Sequence, residues 1–182
     1  MTVLHHPPAT RSDTAVAETT RHAPRLTLKP KAPATGFVDG AWWPRSLNLV
    51  TELPPLAEVL AVRLGRIERV TYHLGAWDAV PRRIHIEGQL LRLGGFRSQN
   101  PHTVDVIGLN GRRLTLLVLP PRTREVIAHQ VLMKAARRDN VDSIDELLIP
   151  LAAAEPGLVS DDLADTAIQR WEVDGGHVYT HA

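Results

Sequence analysis

The dipeptide Asn110-Gly111 stands between two apolar runs, Thr103 to Leu109 and Arg112 to Leu119. It constrains the fold more than any other feature of the chain. Asn-Gly between apolar strands is the strongest short-range signal for a β-hairpin, because a type I′ turn needs positive φ at both central residues. The second strand of that hairpin is apolar on both faces from Leu114 to Leu119, Thr115 excepted. Such a strand belongs in the middle of a sheet covered on both sides, or at an oligomer interface.

The rest of the pattern builds outward from this hairpin. Arg25-Leu26-Thr27-Leu28-Lys29 alternates as a strand does, and Pro30 to Gly40 is turn-rich. Pro54-Pro55 is read as the opening of a helix, with Leu56, Leu60 and Leu64 at helical spacing and Gly65 as its stop. Arg66 to Leu74 forms a strand with Val70, Tyr72 and Leu74 on one face. Arg82 to Leu93 forms another, whose apolar phase shifts after Gly88 and suggests a bulge, with Gly94-Gly95 as its terminal turn. Arg124 to Arg138 reads as a helix with Ile127, Val131 and Ala135 in step. Consecutive strands with short links pair antiparallel. The expected fold is therefore α+β, an antiparallel sheet of about five strands with two main helices. Its core is expected to hold Leu60, Val70, Tyr72, Ile84, Ile86, Val104, Val106, Leu114, Leu116, Val118, Ile127 and Val131.

Charge divides the chain into three parts. Residues 1–24 hold two basic and two acidic side chains and no periodic pattern, as a disordered arm would. Residues 25–138 hold 18 Lys/Arg against 8 Asp/Glu, a net of +10, and form the basic α+β domain. Residues 139–182 hold one Arg against 10 Asp/Glu, a net of −9. This acidic tail has helical signals. Ser143-Ile144-Asp145-Glu146 fits a capping box, and Pro150 keeps that helix short. Ser160-Asp161-Asp162 fits a second N-terminus, followed by Leu163, Ala164, Ala167, Ile168 and Trp171 on one face. Such an acidic amphipathic helix needs a surface to dock on, so intramolecular docking of tail on core, or a homo-oligomer, is expected.

Residues 25 to about 136 resemble a family of actinobacterial proteins catalogued only as a domain of unknown function. The resemblance rests on Leu26-Thr27-Leu28-Lys29-Pro30, on Gly36 to Ser46 with its Asp-Gly-Ala-Trp-Trp-Pro-Arg-Ser run, on Glu52-Leu53-Pro54, on Arg66 to Tyr72 and on Gly95 to Gln99. It implies a compact bacterial protein and supplies no activity, substrate or catalytic residue.

Trp42 and Trp43 are adjacent, so in extended backbone they face opposite ways. Either both anchor the fold by packing, or one is exposed to stack on a base, a sugar or a partner, with Arg45 adding a cation–π or phosphate contact. The arginines allow two readings as well. Arg82-Arg83, Arg112-Arg113, Arg63, Arg66, Arg69, Arg92 and Arg97 form either a solvated surface neutralised by the tail or the footprint of a nucleic-acid binder. Trp42, Trp43, Arg45, Arg82, Arg83, Arg97, Arg112 and Arg113 are accordingly the candidate contact residues.

Catalytic signatures are missing. The absence of cysteine excludes disulfides, thiolate catalysis and thiolate metal sites. His73, Asp78 and His85 have no recognised metal-ligand spacing, so neither metal nor cofactor is expected. Ser46 and Ser98 have no evident base, Asp39 and Asp78 are no evident acid/base pair, and no phosphate-binding loop occurs. The first eight residues lack the apolar core of a signal peptide, and no run approaches the ~18 apolar residues of a membrane span, so a cytoplasmic protein is expected. Three function classes follow. The first is a non-enzymatic binding or interaction module. The second is a nucleic-acid-binding domain masked by its own acidic tail. The third is an enzyme of unrecognised type.

Overall fold

A computed structural model describes residues 22–31 and 36–153 of the chain. The expected arm, up to residue 21, and the expected helix from Ser160 lie outside the described residues. The described chain runs β1 (Leu26–Leu28), β2 (Gly40–Trp42), α1 (Leu49–Leu64), β3 (Ile67–His73), β4 (Arg83–Ile86), β5 (Gln89–Phe96), β6 (Thr103–Gly108), β7 (Arg113–Val118), α2 (Glu125–Ala135) and α3 (Ile144–Ala152). The fold is α+β, but its sheet has seven strands, in the order β1-β2-β7-β6-β3-β5-β4. It is mixed: β2 pairs β7 in parallel and β3 pairs β5 in parallel. The antiparallel five-strand expectation is corrected here. The antiparallel rule concerns strands joined by short links. Strands β2 and β7 are far apart in sequence, and the β6–β7 hairpin enters the sheet between β2 and β3.

Two turns exchange roles relative to expectation. The β6–β7 hairpin forms as expected, with Val104 opposite Leu116 and Val106 opposite Leu114. Its turn, however, has positive φ at Gly111 only, and Gly111 N–H donates to the Gly108 carbonyl at 2.9 Å. That is a turn through Leu109 and Asn110 with the left-handed residue after it, a hairpin closed by a glycine bulge rather than a type I′ turn. The pair of positive φ values lies instead at Glu87 (50°) and Gly88 (75°). What reads as a bulge in one strand is therefore the tight turn between β4 and β5. Gly94 and Gly95 lie inside β5 rather than ending it. A Cβ on Gly95 would stand 2.5 Å from Leu74 Cδ2 and 3.1 Å from the Tyr72 hydroxyl, so only glycine lets these side chains cross the strand there.

Helix α1 starts earlier than its prolines suggest. Asn48 caps it, its side chain accepting from Thr51 N–H at 3.2 Å. Glu52 N–H donates to the Asn48 carbonyl, so the first turn closes ahead of Pro54 and Pro55, which fall inside the helix. Proline removes an N–H donor, and here the carbonyls it would have served lie in that first turn.

The sheet has two apolar clusters, one on each face. Helix α1 covers the first, where Leu53, Leu56 and Leu60 meet Trp42, Val70, Tyr72, Leu93, Val104, Val106 and Leu116. Helices α2 and α3 cover the second, where Ala128, Val131, Leu132 and Leu147 meet Ala41, Trp43, Leu117 and Leu119. Strand β7 serves both, as its doubly apolar sequence requires: Leu116 and Leu117 are each fully buried, on opposite faces. Of the expected core, Leu60, Val70, Tyr72, Val104, Val106, Leu116, Val118 and Val131 are buried, while Ile84, Ile86, Leu114 and Ile127 pack only partly.

Candidate functional site

Helices α2 and α3 cover only one end of their face of the sheet. Helix α2 touches β1 and β2, and α3 packs on α2. Thr27 Oγ1 on β1 donates to the Leu132 carbonyl of α2 at 2.8 Å. The same face continues past Leu117 to the Arg113 end of β7 and across β6, β3, β5 and β4, where the α2–α3 cluster does not extend.

Directly paired residues in a sheet share a face, with Cβ atoms ~4.5–5.5 Å apart. The register therefore fixes what this open half displays. Arg83 on β4 is opposite Arg92 on β5, and Arg92 is opposite Arg69 on β3. Arg69 is opposite Ile107 on β6, and Ile107 is opposite Arg113 on β7. Four arginines thus stand in one row across five strands, three of them on adjacent strands, and all four are exposed. At ~4.8 Å between strands the row is about 19 Å long. A bulge between Ile67 and Arg69 displaces Glu68, whose carboxylate reaches Arg92 at 3.6 Å. That pair is solvent-exposed and contributes ~0–1 kcal/mol.

The neighbouring rows complete the surface. Gly94, Thr71, Asp105 and Thr115 are mutually opposite in the next row. Both oxygens of Asp105 are engaged: Thr115 Oγ1 donates to Oδ1 at 2.6 Å and Thr71 Oγ1 to Oδ2 at 3.4 Å. This carboxylate holds three strands together. Beyond it, Phe96 is opposite His73. The Phe96 ring leans over Gly94, where a Cβ would meet ring carbon Cε2 at 3.2 Å, and Phe96 remains 50% exposed. The open half is a mainly cationic surface that exposes the Phe96 ring.

Of the residues singled out from sequence, Arg83 and Arg113 share this row. Arg82 and Arg112 are exposed beside them, just outside β4 and β7. Arg97 is exposed just past the end of β5. Arg45 is exposed beyond β2, at the covered end of the sheet. Arg69 and Arg92 complete the row and were absent from the candidate contact residues. Their signal was local: Arg69 precedes Val70, and Arg92 lies between Leu91 and Leu93, so each takes the polar phase of a strand with a buried phase.

The tryptophans face opposite ways, as extended backbone requires, but both are buried. Trp42 is 1% exposed and stacks on Trp77 with centroids 5.4 Å apart. Trp43 is 8% exposed, and its indole N–H donates to the Pro120 carbonyl at 3.2 Å. Neither presents an open ring to a base. The cation on this pair is Arg25, not Arg45. Its guanidinium carbon lies 3.4 Å from the Trp43 ring centroid, and it donates to the carbonyls of Trp43 and Pro44. Burial, with Arg45 nearby, lowers the Arg25 pKa from its ordinary value.

Two clefts lie elsewhere. One of about 300 Å³ runs between α1 and the β4–β5 turn and is lined by Glu58, Arg66, Glu87 and Gln89 among apolar residues. The other, about 230 Å³, is walled by Trp77 and several prolines, with His102 at its side. Asp39 accepts from the Thr115 N–H at 2.8 Å, which ties it to the sheet. Ser46 donates to Glu52 at 2.9 Å beside the α1 cap. Among the described residues no group of three His, Asp or Glu could hold a metal ion. No helix among them is long and apolar enough to cross a membrane.

Fold and surface together define an α+β sheet domain with α1 on one face and α2 and α3 over part of the other. The chain belongs to the family of unknown function DUF5994, whose model matches residues 25–135. No curated protein and no solved structure matches it. The match spans the sheet and α2 and stops before α3.

Proposed function

We propose that this chain is a non-enzymatic binding module and that its ligand is single-stranded nucleic acid, bound on the open half of the sheet. The row Arg83, Arg92, Arg69 and Arg113 carries the reading. Like charges directly opposite each other in a sheet are destabilising, by roughly 0.2–1 kcal/mol per pair. Among the described residues Glu68 pairs with Arg92 and Asp105 lies in the next row, so two carboxylates stand by four guanidinium groups. A fold that aligns arginines against this cost retains them for an anion. Guanidinium groups suit phosphate because they offer planar, paired donors and stay charged at all working pH values. The exposed Phe96 ring, two rows away, adds a stacking partner for an unpaired base. An exposed ring favours a single strand, whose bases are free to stack, over a closed duplex.

Anisotropy of a labelled single-stranded oligonucleotide tests this. Neutralising four phosphates on a single strand gives a slope of about −3 for log affinity against log salt. Arg69→Gln with Arg92→Gln should weaken binding and reduce that slope by about half. Arg45→Gln, remote from the row, should change neither. Equal losses from all three substitutions would show general charge attraction and sink the proposed site.

A further inference from the structure

The structure describes the chain to residue 153, and residues 154–182 follow it. We infer that residues 154–182 dock on the open half of the sheet through their carboxylates, closing the arginine row to outside ligands. This rests on the open half being the binding surface.

Three observations select this occupant. The first is charge. Residues 154–182 hold Glu155, Asp161, Asp162, Asp165, Glu172 and Asp174 against Arg170, a net of −5. Residues 25–153 carry a net of +6, since Asp139, Asp142, Asp145 and Glu146 reduce the +10 of residues 25–138. The two parts nearly neutralise each other. The second is position. Helix α3 is the last described element, and it packs on α2, on the same face as the arginine row. The chain therefore leaves the folded body on the face that is half uncovered. The third is reach. Asp161 lies nine residue steps beyond Ala152, enough to extend ~30 Å, while the row is about 19 Å long. Arg113, on β7, borders the covered end, and Arg69, Arg92 and Arg83 follow outward. Leu163, Ile168 and Trp171 bring apolar surface to a face that also exposes Phe96 and Leu90.

Leu147 is fully buried in the cluster beneath α2, so α3, which begins the acidic stretch, packs on the same body as the sheet.

The absence of cysteine makes a spin-label test direct. Ala164→Cys, carrying a nitroxide on the full chain, should broaden backbone amide signals of β3, β5 and β6 and spare those of β1. Changing the six carboxylates of residues 154–182 to amides in the same chain should abolish the broadening. Lack of broadening, or broadening that survives the amide changes, overturns the inference. A second arm separates it from the binding reading, using a fluorescein-labelled oligothymidylate with the unlabelled full chain and its six-amide form. Competition predicts tighter binding by the amide form, by about tenfold, within the usual range of coupling between sites. Broadening without oligothymidylate binding by either form keeps the docking and removes the nucleic-acid reading. Equal binding by both forms, with no broadening, does the reverse.

Discussion

The two halves of one sheet face differ in what their alternating positions hold. At the covered end, Ala41, Trp43, Leu117 and Leu119 face α2 and α3, and Leu147 seals the contact. At the open end, the same face holds Arg113, Arg69, Arg92 and Arg83, with a hydroxyl and carboxylate row beside them. Both halves have apolar residues on the opposite face, toward α1. The difference shows that cover follows the outer phase of each strand. Where it is apolar, a helix buries it and stabilises the fold. Where it is cationic, no helix among the described residues covers it.

The largest effect expected from this contrast is in the covered half. Leu147→Ala removes a fully buried side chain and should cost about 2–5 kcal/mol in urea unfolding. A loss under ~1 kcal/mol would mean that α3 is not part of the cooperative unit. Next comes Gly40→Ala, at the junction of β1 and β2. A Cβ there runs into the Thr27 carbonyl oxygen and stands 2.8 Å from Leu28 Cα, and backbone cannot step aside as a side chain can. The expected loss is about 1–3 kcal/mol, read in the same assay.

The open half should respond with the opposite sign. Arg92→Gln removes the middle charge of three in a row. Stability should rise by a few tenths to about 1 kcal/mol, as like-charge repulsion is relieved, while oligonucleotide affinity falls. A substitution that lowers both would make the row a structural feature and remove the contrast.

The smallest effect is in the response to acid. Hydrogen bonds from Lys134 and then Asn140 hold the Asp142 carboxyl below its ordinary value of 3.8. Bonds from the Ser143 backbone and hydroxyl do the same for Glu146, below 4.5. The unfolded chain binds more protons between the ordinary and lowered values, so stability rises with pH in that window. The contribution is complete above the ordinary values and is lost as pH falls through the lowered ones. Asp142→Asn should therefore flatten the stability curve below about pH 4, and an unchanged acid limb would show that the α2–α3 clasp does not depend on it.

Local patterns were legible where adjacent residues decide the outcome. The capping box at Ser143 and Glu146 forms as its spacing indicates, with Ser143 N–H donating to Glu146 at 2.7 Å. The doubly apolar β7 is central, one of the two places its composition allows. Turn geometry was less legible. Asn110-Gly111 and Glu87-Gly88 are both hairpin turns, yet the type I′ dihedrals fall on the second, where the flanking register of β4 and β5 demands them.

By itself, the sequence determined the hairpin, the two apolar phases of β7, the opposed tryptophans and the charge division of the chain. These follow from period-two alternation, turn chemistry and composition, all local properties. Only the tertiary structure decided that β2 lies parallel to β7, that Arg25 sits on Trp43, and that Arg83, Arg92, Arg69 and Arg113 form one row. Strand order and register join residues that the chain keeps from 9 positions apart, as Arg83 and Arg92, to 76, as Trp42 and Val118. They are set by how the two apolar faces are buried together, which no single segment encodes.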